Sequence, residues 1–199
     1  MTKRITISTL DAMKASGDKF VMITAYDATF AKLASEAGAE TILVGDSLGM
    51  VLQGHETTIP VSLDAMAYHT ECVARARPHS LIVADLPFMS FSNSDDTLHA
   101  STRLMQAGVQ MVKLEGGTWL SDSIHRLVER GVPVCAHLGL TPQSVNVFGG
   151  YRVQGRTPKE AKSILADAVE IQDAGASLLV LECIPADLAA DISSKLDIP

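Results

Sequence analysis

A short apolar run followed by an amphipathic segment occurs six times along this chain. The runs lie at residues 20–24, 41–44, 80–84, 109–114, 132–136 and 177–181. They are rich in Val, Ile and Leu without polar alternation, as in strands buried on both faces. The segments that follow them, 28–37, 62–75, 94–107, 119–130, 158–174 and 186–196, carry helical signals. In 28–37 the predicted buried face holds Phe30, Leu33 and Ala34. Ser62 and Ser94 read as N-caps, and Gly38, Gly108, Gly131 and Gly175 as stops. A further short helix, 9–15, precedes the first strand, with Ser8 or Thr9 as its cap and Gly17 as its end.

Strict strand–helix alternation requires parallel strands joined by right-handed crossovers. An α/β chain of this kind is either a doubly wound open sheet or a (β/α)₈ TIM barrel. No G-x-G-x-x-G follows the first strand, so the usual marker of a nucleotide-binding open sheet is missing. The strand ends favour the barrel. They are Asp27, Asp46, Asp85, Glu115, His137 and Glu182, and a barrel gathers all its strand ends on one rim. An open sheet would spread them along an edge. Any one of them could instead cap a helix, and Asp27, just before 28–37, is the first expected bystander. The stretch TILVGDSLGM (41–50) is the densest case, with Asp46 and Ser47 directly after a buried strand.

Composition narrows the function. With 199 residues and 47% apolar content, a single domain over 1–199 with a substantial core is expected. A net charge of -7 with no basic cluster argues against a nucleic-acid partner. No apolar run approaches the ~20 residues of a membrane span. The N-terminal stretch lacks the apolar segment of a signal peptide. A cytoplasmic protein is expected. Cys72, Cys135 and Cys183 are odd in number and set among apolar residues, which predicts buried reduced thiols.

Carboxylates crowded on one rim repel each other, and a divalent cation is the simplest remedy. Asp46, Asp85 and Glu115 offer hard oxygen ligands that suit Mg²⁺. An α-keto acid would chelate such an ion, which would favour an enolate. Glu182, between Leu181 and Cys183, is a candidate base, its basicity raised by apolar neighbours. Lys113 lies two residues before Glu115 on the same strand face; it would hold a substrate carboxylate or form a structural ion pair. The connection 138–157 is long for this fold, and such loops are usually functional. There Phe148, Tyr151, Arg152 and Gln154 could meet a large flat cofactor, or the segment could be an oligomer contact.

The segments GDSLGMVLQGHETTIPV (45–61), ADLPFMS (84–90), VKLEGG (112–117), HLGLTPQSVN (137–146), FGGYRVQG (148–155) and LLVLECIP (178–185) resemble the ketopantoate hydroxymethyltransferase family. The resemblance runs from about Thr9 to the end. It implies a (β/α)₈ barrel of the phosphoenolpyruvate/pyruvate superfamily, here with six βα units. It implies Mg²⁺-dependent transfer of the one-carbon unit of 5,10-methylenetetrahydrofolate to 3-methyl-2-oxobutanoate, giving 2-dehydropantoate in pantothenate biosynthesis. Asp46, Asp85 and Glu115 match the family's metal ligands. Asp46, Ser47, Asp85 and Lys113 match its keto-acid contacts, and Glu182 its proton acceptor. Homo-oligomers, commonly decamers, are implied as well.

The family's barrel continues past Pro199, so the chain is expected to be C-terminally incomplete. Six strands alone would leave the first and sixth with unpaired edges and predict an aggregation-prone chain. A metal-dependent keto-acid aldolase or lyase of the same superfamily would use the same rim. An inactive fragment would keep the motifs without turnover.

Overall fold

The structure is a computed structural model that describes residues 4–199. The first three residues of the N-terminal stretch read for a leader lie outside it. The chain divides into two compact units, residues 1–113 and 114–199.

The first unit opens with helix α1 (Ile7–Ser16). Its cap is Thr6, not Ser8 or Thr9. Thr6 and Thr9 form a reciprocal capping box, and Gly17 closes the helix at φ 79°. Strand β1 (Met22–Thr24) follows, then α2 (Ala28–Glu36), β2 (Thr41–Val44), a single turn α3 (Leu48–Val51), α4 (Leu63–Arg75), β3 (Leu81–Asp85) and α5 (Ser94–Ala107). Strand β4 (Met111–Glu115) completes the unit and runs across its boundary. β1 pairs with β2, β2 with β3 and β3 with β4, all parallel. Ser62 caps α4 as expected, but the cap of α5 is Asn93, whose side chain accepts from the Asp95 and Asp96 N–H groups.

The core of this unit lies around β3. All five of its residues are buried, and Ile42, Leu48, Met66, Leu104 and Met111 are fully enclosed. Each such side chain contributes ~1.5–3 kcal/mol relative to exposure. The face of α2 differs from the sequence expectation. Ala31 and Ala34 are buried, while Phe30 is 64% and Leu33 55% exposed. Two alanines let the helix backbone approach β2 and α4 closely, and that contact set its rotation. β1 is the least covered strand, with Ile23 and Thr24 exposed, as is Val21 just before it.

The second unit holds a 3₁₀ turn (Thr118–Leu120), α6 (Ser121–Val128), β5 (Val134–Gly139), a 3₁₀ turn (Pro142–Ser144), α7 (Val145–Phe148), α8 (Pro158–Asp173), β6 (Leu178–Glu182) and α9 (Ala186–Lys195). β5 and β6 pair in parallel from Cys135↔Leu178 to Gly139↔Glu182. α8 starts at a capping box of Thr157 and Glu160 and packs on α6, α9 and β5. The outer side of β6 receives one bond, from Leu179 N–H to the Pro199 carbonyl at 3.0 Å. β5 starts two residues later and ends three residues later than expected, so His137 lies inside the strand and not past it.

The cysteines are free but only Cys135 is buried; Cys72 is half-buried and Cys183 exposed, against the expectation of three buried thiols. No helix among the described residues is long and apolar enough to cross a membrane.

Candidate active site

In the first unit the ends of β2 and β3 carry the polar residues singled out from sequence. Asp46 and Asp85 are almost fully enclosed, at 3% and 4% exposure, as is Lys113 at 4%. The Asp46 N–H donates to Asp85 Oδ2 at 3.0 Å. Lys113 Nζ donates to Asp85 Oδ1, and the two residues are register partners across β3 and β4. Gly45 is small for a reason: a Cβ there would meet Ser47 Oγ at 2.8 Å.

Ser47 stands at the start of α3, and its Oγ lies 2.9 Å from the Tyr26 hydroxyl. The backbone of Tyr26 is held in turn, its carbonyl 2.9 Å from His69 Nδ1. Sequence reasoning passed over Tyr26 and His69. The hydroxyl of Tyr26 beside a strand end was the available signal. Asp27, the expected bystander, is one: its Oδ1 caps α2 by accepting from Thr29 N–H at 2.7 Å and Phe30 N–H at 3.0 Å.

The second unit brings together Glu115, His137 and Glu182. His137 is 2% exposed. Its Nδ1 lies 3.4 Å from Glu115 Oε1 and its Nε2 3.3 Å from Glu182 Oε2. Glu115 Oε2 accepts from the Gln143 N–H at 3.0 Å. The long connection therefore reaches back to a rim carboxylate through Gln143, a residue sequence reasoning did not mark. Glu182 differs from expectation in its surroundings: its side chain is 41% exposed. Cys183, directly after it, holds a left-handed backbone at φ 47°. A non-glycine residue there costs ~1–2 kcal/mol and turns the chain sharply at the strand end. Gly139 faces the same turn at φ 92°, and a Cβ on it would overlap the Glu182 carbonyl oxygen.

The expected mutual repulsion of rim carboxylates is thus met in part by the protein itself, through Lys113 beside Asp85; His137 stands between Glu115 and Glu182 and would offset their charge only in its protonated form. Among the described residues no group of three or more His, Cys, Asp and Glu side chains stands arranged to hold a metal ion. Asp46 and Asp85 in the first unit and Glu115 in the second are each buried carboxylates with hard oxygens, the ligand type that suits Mg²⁺.

Of the residues expected to meet a flat cofactor, Phe148 and Gln154 line a cavity in the second unit, together with Trp119. Tyr151 and Arg152 are exposed.

The fold is shared with solved structures. A phosphonopyruvate hydrolase superposes at a TM-score of 0.73 with 18% identity, covering 100% of this chain and 70% of that one. A 2,3-dimethylmalate lyase of the PEP mutase/isocitrate lyase superfamily gives 0.69 at 17% identity, over 98% of this chain and 68% of that one. A phosphonopyruvate hydrolase complex with oxalate and Mg²⁺ gives 0.71 at 15%, over 95% and 68%. The chain therefore shares the (β/α) barrel fold of these structures and supplies six βα units of it.

Sequence comparison is more specific. The family model described as ketopantoate hydroxymethyltransferase matches residues 4–199, and the chain belongs to that family. The 3-methyl-2-oxobutanoate hydroxymethyltransferase of Saccharophagus degradans is 53% identical over 199 residues, which are 100% of this chain and 74% of the relative. 3-Methyl-2-oxobutanoate hydroxymethyltransferase 2 of Pseudomonas aeruginosa is 57% identical over 195 residues, covering 98% and 73%.

Proposed function

We propose that this chain transfers the one-carbon unit of 5,10-methylenetetrahydrofolate to 3-methyl-2-oxobutanoate, giving 2-dehydropantoate in pantothenate biosynthesis. Family membership supports the reaction. The observation that carries the chemistry is the line Glu115–His137–Glu182, with ring-to-carboxylate distances of 3.4 and 3.3 Å. A base must take the proton next to a carbonyl and hold it while the new carbon–carbon bond forms.

Glu182 is that base. Its partial exposure leaves it open to substrate, and His137 stands behind it with Nε2 3.3 Å from Oε2. The C3 proton comes to rest on a Glu182 carboxylate oxygen. Asp46, Asp85 and Glu115 would hold Mg²⁺, which when bound supplies Lewis-acid stabilisation of charge on the keto oxygen. Lys113 orients Asp85 and presents positive charge to the keto-acid carboxylate. The Ser47 hydroxyl, steadied by Tyr26, contacts the same substrate. The reading makes the working form a cytoplasmic homo-oligomer, checked by sedimentation of the purified protein.

The test follows the C3 proton of 3-methyl-2-oxobutanoate in D₂O by NMR, with Mg²⁺ and without the folate. Wild-type protein should catalyse exchange, and added methylenetetrahydrofolate should yield 2-dehydropantoate. Folate-dependent turnover with no exchange by the protein at any Mg²⁺ concentration would overturn the proton-abstraction step.

A further inference from the structure

We propose that the cavity beside Trp119 takes a planar, amino-substituted heteroaromatic ring. Resting on the reading above, this ring is the fused aminopyrimidine end of the one-carbon donor.

The cavity lies wholly in the second unit and has a volume of about 310 Å³, room for a fused bicycle. Its chemistry is set by a glycine pair. A Cβ on Gly116 would meet the Trp119 ring atom Cζ2 at 2.6 Å, and a Cβ on Gly117 would meet Asp167 Cγ at 2.5 Å. Without side chains at 116 and 117, the indole and the carboxylate both settle onto the backbone. Trp119 is fixed there although it is 62% exposed. A large aromatic face held in place at a cavity wall is a stacking platform. Phe148 supplies a second aromatic side chain to the lining.

The polar groups select hydrogen-bond donors. Asp167 Oδ1 accepts from both the Thr118 N–H, at 2.9 Å, and the Thr118 hydroxyl, at 2.6 Å. Both bonds fall on one oxygen, so Oδ2 retains its lone pairs for a ligand. Glu160 is fixed by accepting from the Thr157 N–H at 3.1 Å through Oε2. The lining holds these two carboxylates and no Lys, Arg or His. Such a wall repels phosphates and carboxylates and favours a neutral or cationic group with N–H donors. An aminopyrimidine offers both the flat face and the donor edge. The cavity also borders the proposed base through Gly139, which lines it and abuts the Glu182 carbonyl.

Trp119 is the only tryptophan in the chain, so its fluorescence reports the cavity directly. The full chain is titrated with tetrahydrofolate, which carries the ring but no one-carbon unit. N-Acetyltryptophanamide corrects for light absorption, and calorimetry gives an independent Kd. Saturable quenching is expected. Asp167→Asn, which keeps the shape, should weaken binding about tenfold or more. Glu160→Gln, which preserves the capping geometry, should weaken it severalfold. p-Aminobenzoylglutamate, which lacks the fused ring, should not quench. Absence of saturable quenching, wild-type affinity in both variants, or equal affinity for p-aminobenzoylglutamate overturns the assignment. Wild-type C3–H exchange without quenching defeats the cavity assignment and leaves the reaction reading intact. Quenching without exchange or turnover does the reverse.

Discussion

Asp85 and Lys113 sit opposite each other on β3 and β4, and the ammonium of one is bonded to the carboxylate of the other with both side chains about 5% exposed or less. A buried pair of this kind is weak evidence for net stability, but breaking it leaves a charge stranded. Lys113→Met is therefore expected to lower unfolding free energy by about 3–5 kcal/mol. The double variant Asp85→Leu, Lys113→Met should lose clearly less, although the Asp46 N–H then lacks its acceptor. Urea denaturation of the two variants measures the difference. A cost below about 1 kcal/mol for Lys113→Met would show the site to be wet rather than closed.

Asp85→Ala removes a proposed metal ligand and the partner of Lys113 together. Mg²⁺-dependent activity should vanish, and calorimetric Mg²⁺ affinity should fall with it. Retention of near-normal activity and affinity would remove Asp85 from the metal set.

Glu182→Gln keeps the side-chain shape and removes the base. Keto-acid binding should persist while C3–H exchange slows by ~10²-fold or more. Exchange at the wild-type rate would shift the role to His137, whose Nε2 lies 3.3 Å away.

Gly139→Ala places a side chain at φ 92° against the Glu182 carbonyl. A loss of about 2 kcal/mol or more is expected from the backbone conformation and the overlap together. Thermal unfolding reads the loss, and slowed C3–H exchange in the folded fraction would report a displaced Glu182. A variant as stable as wild type would mean that the turn at Cys183 yields easily.

Tyr26→Phe deletes one hydroxyl, 2.9 Å from Ser47 Oγ. KM for 3-methyl-2-oxobutanoate should rise severalfold with little change in unfolding midpoint, because the ring remains. An unchanged KM would mean that Ser47 needs no support from Tyr26.

The alternation of strands and helices was legible because buried parallel strands demand apolar runs and their crossovers demand amphipathic ones. The six polar strand ends followed from the same pattern, and Asp27 was correctly set apart as a cap. Caps were misplaced by one to three residues, at Thr6 and Asn93, because neighbouring small polar residues compete and local geometry chooses among them. The face of α2 was misread for a different reason. Period alone permits Phe30 and Leu33 to be inside; close approach of β2 and α4 favours the alanines.

The site divides along the same line. Residue type and strand-end position named Asp46, Asp85, Lys113, Glu115 and Glu182 without any coordinates. Which carboxylate meets Lys113 depends on the parallel register of strands 28 residues apart. That His137 lies between two carboxylates depends on β5 continuing to Gly139. The Tyr26–Ser47 contact and the Gly117–Asp167 approach join residues 21 and 50 positions apart. Sequence determined the order of the elements and the chemistry at their ends, since both arise from local periodicity and residue type. Tertiary structure decided who faces whom, since register and helix rotation are set by packing between segments that are distant in the chain.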